Sequence, residues 1–363
     1  MRVLVLGAGG IGGYFGARLI ESGNDVEFLV RPPRAAVLAQ TGLRLYSNVG
    51  DFERAVATFT SIQPGAYYDL VLLSCKAYDL DSAVASIAPA VADDTRVLPL
   101  LNGVRHLDGL DAAFGASRVL GGVCHISVTL QDDGAIRQFG LLQRLAFGSR
   151  DATPLPEVVR EGLIGIGKHV VESGTILTAM WEKFAFIATL AGLTCVMRGA
   201  VGEIVATPEG ADLARTLYAE CRETARRCGH VLSVDAVVDA ERILIAPDSP
   251  LKASMLISSA ERARNANISW VICVPEHPRT RWIHLCSRRR LRIFGCTSVH
   301  GRMPIPAGSP LSALSIIYMF YCLRQCETCD KCTMSGLADL RYAWSSRLGS
   351  ACRGQQTWSL HVA

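Results

Sequence analysis

Acidic residues are nearly missing from the last third of this chain, and cysteine and tryptophan are nearly missing from the rest. Residues 257–363 hold 5 Asp and Glu against 14 Lys and Arg, a net charge of +9, whereas residues 1–256 hold 28 against 23, a net of −5. Only five of the 13 cysteines and one of the 5 tryptophans lie before residue 257. The longest apolar stretch, residues 184–197, is broken by Thr and Gly and falls short of the ~20 residues a membrane span needs. No membrane partner is expected. The N-terminus lacks the charged and apolar regions of a secretory leader, so the protein reads as cytoplasmic. No internal repeat and no low-complexity tract is visible. At 363 residues the chain is long enough for two domains, each with its own core.

What is present begins at residue 2. Residues 2–6 are a short apolar run, the pattern of a central parallel strand buried on both faces. The run feeds Gly7-Ala8-Gly9-Gly10-Ile11-Gly12-Gly13, and residues 14–21 then take helical spacing. In this strand–turn–helix context GxGxxG is a dinucleotide-binding loop. Gly7 permits the tight turn, Gly9 lets a pyrophosphate approach, and Gly12 lets helix and strand pack closely. The N–H groups of Gly10, Ile11 and Gly12 open the helix toward the phosphates. The next strand, residues 25–30, ends in Arg31-Pro32-Pro33-Arg34, where an NAD enzyme usually has a ribose-binding carboxylate. A cation there favours the 2′-phosphate of NADPH. Glu27 sits mid-strand, too early to reach a ribose.

Two more apolar strands, residues 69–74 and 96–101, end in Cys75-Lys76-Ala77 and Asn102-Gly103-Val104. Ligands of open α/β sheets bind beyond the strand C-termini, so Lys76 and Asn102 are site candidates by position. Residues 119–148 alternate in strand fashion around the turn Asp132-Asp133-Gly134 and are expected to extend the sheet and close the first domain. From Ile176 a long apolar helix begins, with Lys183 inside it among few polar neighbours. A partly desolvated lysine has its pKa pushed toward the working range of a general acid. The expected fold class is α/β, a Rossmann doubly wound parallel sheet followed by a mostly α-helical domain. Its divisions are residues 1–173, 174–256 and an aberrant tail, 257–363.

Five motifs occur in order: the glycine loop, Cys75-Lys76-Ala77, Leu101-Asn102-Gly103-Val104, Trp181-Glu182-Lys183 and Lys252-Ala253-Ser254-Met255-Leu256. In this order and spacing residues 1–256 resemble the ketopantoate reductase family. The resemblance implies NADPH-dependent reduction of 2-dehydropantoate to pantoate, or of a related 2-oxoacid. It implies that Lys183 is the catalytic general acid and that Asn102 orients lysine and substrate. It further implies that Ser254 binds substrate and that Arg31 and Lys76 contact cofactor phosphate. The assembly stays open, a homodimer among the options. The chain departs from the family one and two turns after the lysine, where Ile187 and Ala191 stand in place of asparagines, so its pocket is more apolar.

A second departure follows Leu256. The family's glutamate-bearing helix and closing segment have no counterpart in residues 257–363. A one-base shift of frame lets the codons of residues 265–273 and 291–298 spell segments similar to the missing ones, and Trp270-Val271 forces a glycine in that frame. The tail is therefore read as largely out of frame. Cys322, Cys326, Cys329 and Cys332 have the spacing of an iron–sulfur or zinc set, and Arg288-Arg289-Arg290 could suggest nucleic acid. In such text no metal and no nucleic-acid partner is expected. Three rivals stay open: an inactive or non-enzymatic NADPH-binding protein, a fusion to a true metal module, and another 2-oxoacid or opine-type dehydrogenase.

Overall fold

From the N-terminus come β1 (Arg2–Leu6), α1 (Gly10–Glu21), β2 (Asp25–Leu29) and α2 (Pro32–Thr41). Three short strands follow: β3 (Leu43–Tyr46), β4 (Phe52–Arg54) and β5 (Ala57–Phe59). Then come β6 (Leu70–Leu73), α3 (Leu80–Ile87), β7 (Arg96–Pro99) and α4 (His106–Phe114). The computed structural model describes residues 1–256 apart from 64, 152 and 255, and beyond them the backbone of 270–274, 281–285 and 292–293. The chain divides into two compact units, Met1–Pro306 and Ala307–Ala363, and every described residue lies in the first.

The expected parallel sheet forms in the order β5-β2-β1-β6-β7, with every pair parallel. Its central strands are apolar past Arg2 because both faces are covered: Val3, Leu4, Val5 and all four residues of β6 are fully buried. The chain leaves β1 toward β2 on one side and returns to β6 on the other. The switch point of the sheet therefore lies over the ends of β1 and β6, where such folds bind ligands.

Residues 119–148 do not extend this sheet. They supply β8 (Gly121–Leu130) and β9 (Ile136–Gly148) to a second sheet, ordered β10-β9-β3-β4 with β8 paired to β9. Its edge strand β10 (Val170–Glu172) follows α5 (Glu157–Ile164). The physical reason lies at the strand's start. A single parallel bridge, Val97↔Val119, touches β7, and then Gly121 and Gly122 carry the chain across the end of that strand. A side chain at Gly122 would meet the Pro99 carbonyl oxygen, so only glycine allows the crossing.

The helical half consists of α6 (Ile176–Met197), α7 (Val201–Val205), α8 (Gly210–Arg227) and α9 (Val234–Leu244). Ile176 and Met180 of α6 belong to the core of the parallel sheet. Ala185, Leu190 and Ala191 belong to a separate core with Val201, Tyr218 and Leu244. One helix thus serves both halves. At 22 residues it is long and apolar enough, by length and composition, to cross a membrane, which corrects the expectation from residues 184–197. Its start at Ile176 supplies the extra length, and Ile176, Met180, Ala185, Leu190 and Ala191 are taken up by the two cores. Past Leu256 the sequence predicts no regular element, yet β11 (Trp270–Val274), β12 (Arg281–Leu285) and β13 (Arg292–Ile293) form an antiparallel meander. Short β-prone runs such as Trp-Val-Ile-Cys-Val account for it. The rest of the tail, with the four clustered cysteines and the arginine triplet, lies outside the described residues.

Candidate active site

The glycine loop sits at the switch point. Gly7 takes φ +89°, a conformation L side chains rarely adopt, and its N–H donates to the Leu29 carbonyl at 2.9 Å. A methyl at Gly12 would collide with the Gly7 carbonyl oxygen and with Ser74 Oγ, which itself donates to the Leu6 carbonyl at 2.9 Å. At Gly9 the same methyl meets nothing within 4 Å. The loop is thus packed where helix meets strand and open where a phosphate would approach. Gly10, Ile11 and Gly12 form the first turn of α1, which has no acidic residue and no side-chain cap. A positive helix end therefore faces the opening.

Arg31 precedes α2 and is exposed. Its Nη2 pairs with Asp79 Oδ1 at 3.0 Å, which ties the end of β2 to the turn after β6. Lys76 is exposed in that same turn. Glu27 is engaged below, accepting from Arg2 Nη2 at 3.2 Å and from the Tyr68 hydroxyl at 2.5 Å. Arg34 was not singled out from the sequence. It folds under the loop, donating from Nε to the Ala8 carbonyl at 2.9 Å and from Nη1 to the Gly134 carbonyl at 2.8 Å. Its Nη2 is buried with no hydrogen-bond partner among the described residues. Burial first, and the Arg44 cation second, hold this guanidinium below the usual arginine value. Arginine five residues past the end of β2 is the available sequence signal, but nothing local says that it turns inward.

Lys183 is largely buried, and its Nζ donates to the Cys124 carbonyl of β8 at 2.5 Å. Among the described residues no carboxylate pairs with it. Burial pushes its pKa below the ordinary lysine value, with the Cys124 thiol a smaller opposing influence. Its neighbours explain why it faces the sheets. Trp181 stacks on His230 with ring centres 5.0 Å apart and meets Phe184 edge-on at 5.8 Å. Glu182 turns away to accept from the backbone N–H of Ser233 at 3.0 Å and from its hydroxyl at 2.6 Å, at the start of α9. The motif Trp181-Glu182-Lys183 thus splits by helical rotation into an anchor, a brace and a cation held on the Cys124 carbonyl.

Asn102 is exposed in the turn after β7. The following Gly103, at φ +83°, brings that turn to 3.7 Å from the Phe184 ring, measured from where a Cβ would stand. The strand-end turn and the lysine's helix therefore lean on each other. His125, next to Cys124 on β8, was not singled out from the sequence. Burial, then the Lys183 and Arg144 cations, push its pKa down to about 4, so it stands neutral beside the ammonium. Ser254 is not brought to the lysine by any described contact. It is exposed, and its neighbour Ala253 is pinned through its N–H to Thr194 Oγ1 at 3.1 Å. Thr194 lies three turns beyond Lys183, about 16 Å along the axis at the rise of an α-helix.

The chain is similar to known proteins in sequence and in fold. The family model described as ketopantoate reductase PanE/ApbA matches residues 3–152, and its C-terminal counterpart matches residues 175–272, past Leu256. An uncharacterised oxidoreductase of Bacillus subtilis (strain 168), YkpB, is 36% identical over 260 residues, spanning 70% of this chain and 85% of the relative. A 2-dehydropantoate 2-reductase from Geobacter metallireducens GS-15 is similar in structure, with a TM-score of 0.65 and 27% identity over 73% of this chain and 89% of that one. A D-mandelate dehydrogenase, solved with NADH and anilino(oxo)acetate, shares the fold at a TM-score of 0.63 and 21% identity, over 72% of this chain and 86% of its own.

Proposed function

This chain belongs to the ketopantoate reductase family, and from that premise we propose that it reduces the ketone of a 2-oxoacid, in the manner of 2-dehydropantoate to pantoate, with NADPH as reductant and Lys183 as general acid. The observation that carries this reading is the Lys183 ammonium, largely buried, without a carboxylate among the described residues, and held by one backbone carbonyl of β8. Such a group gains by moving its hydrogen bond to a carbonyl oxygen that becomes negative, and it can then give up the proton. Its lowered pKa makes that transfer easier. Asn102, on the turn that leans on Phe184, would hold the substrate's ketone and carboxylate end near the lysine.

The loop fits a dinucleotide cofactor. There is open space over Gly9, an uncapped helix end at Gly10, Ile11 and Gly12, and an unpartnered buried nitrogen on Arg34. Gly7, Gly9 and Gly12 would admit the pyrophosphate, while Arg31, Lys76 and Arg34 supply positive charge for a 2′-phosphate. When bound, the reduced nicotinamide supplies the hydride. A substrate role for Ser254 requires a ligand that extends along α6, or a movement of the segment Ala253 pins. Residues 257–363 are proposed to contribute nothing to this chemistry.

The test is NADPH oxidation with 2-dehydropantoate and other 2-oxoacids, alongside cofactor binding by nucleotide fluorescence. Lys183→Ala should lower turnover at least 100-fold, about what a general acid contributes, and leave the NADPH dissociation constant within about threefold, as expected for a residue outside the cofactor loop. Turnover that survives the change would refute the assignment, and loss of both properties would mark the lysine as structural.

A further inference from the structure

The wall on which the substrate's side chain would rest is hydrocarbon. Between Phe184 and Val196, α6 has no charged side chain. Its two hydroxyls are already engaged: Thr189 Oγ1 donates to the Ala185 carbonyl at 2.8 Å, and Thr194 Oγ1 to the Leu190 carbonyl at 2.7 Å while accepting from the Ala253 N–H. Ile187 lies one turn after Lys183 on the same face. Phe184 and Ile187 are half-buried yet packed into neither the sheet core nor the helical core. Phe184 meets Trp181 edge-on and faces the Gly103 turn, and Ile187 follows it three residues later on the helix. Lys183 stands at one end of this strip, with His125 near it on β8 and Asn102 on the turn that meets Phe184. The lysine and asparagine can serve a ketone and a carboxylate there, and nothing along α6 can serve a hydroxyl further out.

We propose that the oxoacid this chain selects carries a branched aliphatic or aromatic side chain without a hydroxyl, seated on Phe184 and Ile187. The proposal rests on the reductase reading and narrows it. A hydroxyl carried into this strip would leave its water partners and find none in exchange.

Two substrates separate the possibilities, because 2-dehydropantoate and 3,3-dimethyl-2-oxobutanoate differ by that one hydroxyl. The full chain saturated with NADPH should favour the hydroxyl-free acid roughly 10- to 100-fold in kcat/KM, the range an apolar pocket achieves against an added hydroxyl. The same order should appear in dissociation constants measured by calorimetry. Ile187→Asn should shrink or reverse the ratio, with Ile187→Thr as a milder second variant if the first does not fold, and both should leave NADPH affinity unchanged. Equal or opposite preference in the parent, or a ratio unmoved by either variant, would overturn the proposal. Selective binding of the hydroxyl-free acid without any turnover would instead refute the reductase reading and leave the selectivity standing. Binding of neither acid would overturn both.

Discussion

Burial sets the charge state of several residues here, and each leaves a trace in how stability or rate responds to pH. His106, at the start of α4, is 5% exposed, and its Nε2 has no hydrogen-bond partner among the described residues. Burial, and secondarily the Arg150 cation, push its pKa from 6.5 to about 4. Between those values the unfolded chain binds a proton that the folded chain refuses. Folding stability contributed by this group is therefore complete above pH 6.5 and is lost as pH falls toward 4. Urea midpoints at pH 7 and pH 5 should fall less for His106→Gln than for the parent. An equal fall would show that the buried ring is not the titrating group. His125 contributes in the same direction, so the variant should reduce the fall without abolishing it. Lys183 obeys the same physics, and under the proposed function its lowered pKa would bring its proton closer to transfer.

At the glycine loop, helix and strand meet through glycine. The contact of α1 with β1 is so close that Gly12 faces the Gly7 carbonyl, a backbone atom that cannot swing aside. Gly12→Ala should lower the melting temperature and weaken NADPH binding at least tenfold, with a destabilisation of about 1–3 kcal/mol, as overpacking costs elsewhere. Gly9→Ala is the matched control. With no neighbour within 4 Å it should leave the melting temperature in place while still weakening cofactor binding. If both glycines behave alike in thermal melts, the division between a packing glycine and an approach glycine is wrong. Farther along, the Glu182–Ser233 contact fixes the roll of α6 against α9, and so the direction in which Lys183 points.

For the molecule as a whole, one helix carries two cores. The sheet half takes Ile176 and Met180, and the helical half takes Ala185 onward. Lys183 falls between these two sets of core residues along the helix. If the chain after Leu256 is out of frame, it adds nothing to either core. A chain ended after Leu256 should then bind NADPH within about threefold of the full chain, because the glycine loop lies wholly in the first half. A chain with the frame restored should turn over 2-oxoacids roughly 100-fold faster, the scale of loss that follows from an incompletely held site. Equal rates from the two full-length forms would reject the frame reading, as would authentic tail peptides whose removal abolishes cofactor binding.

Periodicity and local chemistry by themselves determined the buried parallel strands, the glycine loop and the start of α6. Runs such as Val3-Leu4-Val5 and Leu70-Val71-Leu72-Leu73 can be satisfied only between two covered faces, and that is a property of neighbours in the chain. Tertiary structure decided what depends on partners far away in sequence. The carbonyl that receives the Lys183 ammonium lies 59 residues off, the serine that draws Glu182 aside lies 51 off, and the loop carbonyl that turns Arg34 inward lies 26 off. The same holds for residues 119–148, whose alternation was legible but whose choice of sheet was made by Gly122 crossing the end of β7. A pattern says which face of an element is apolar. Only the packed chain says what stands opposite it.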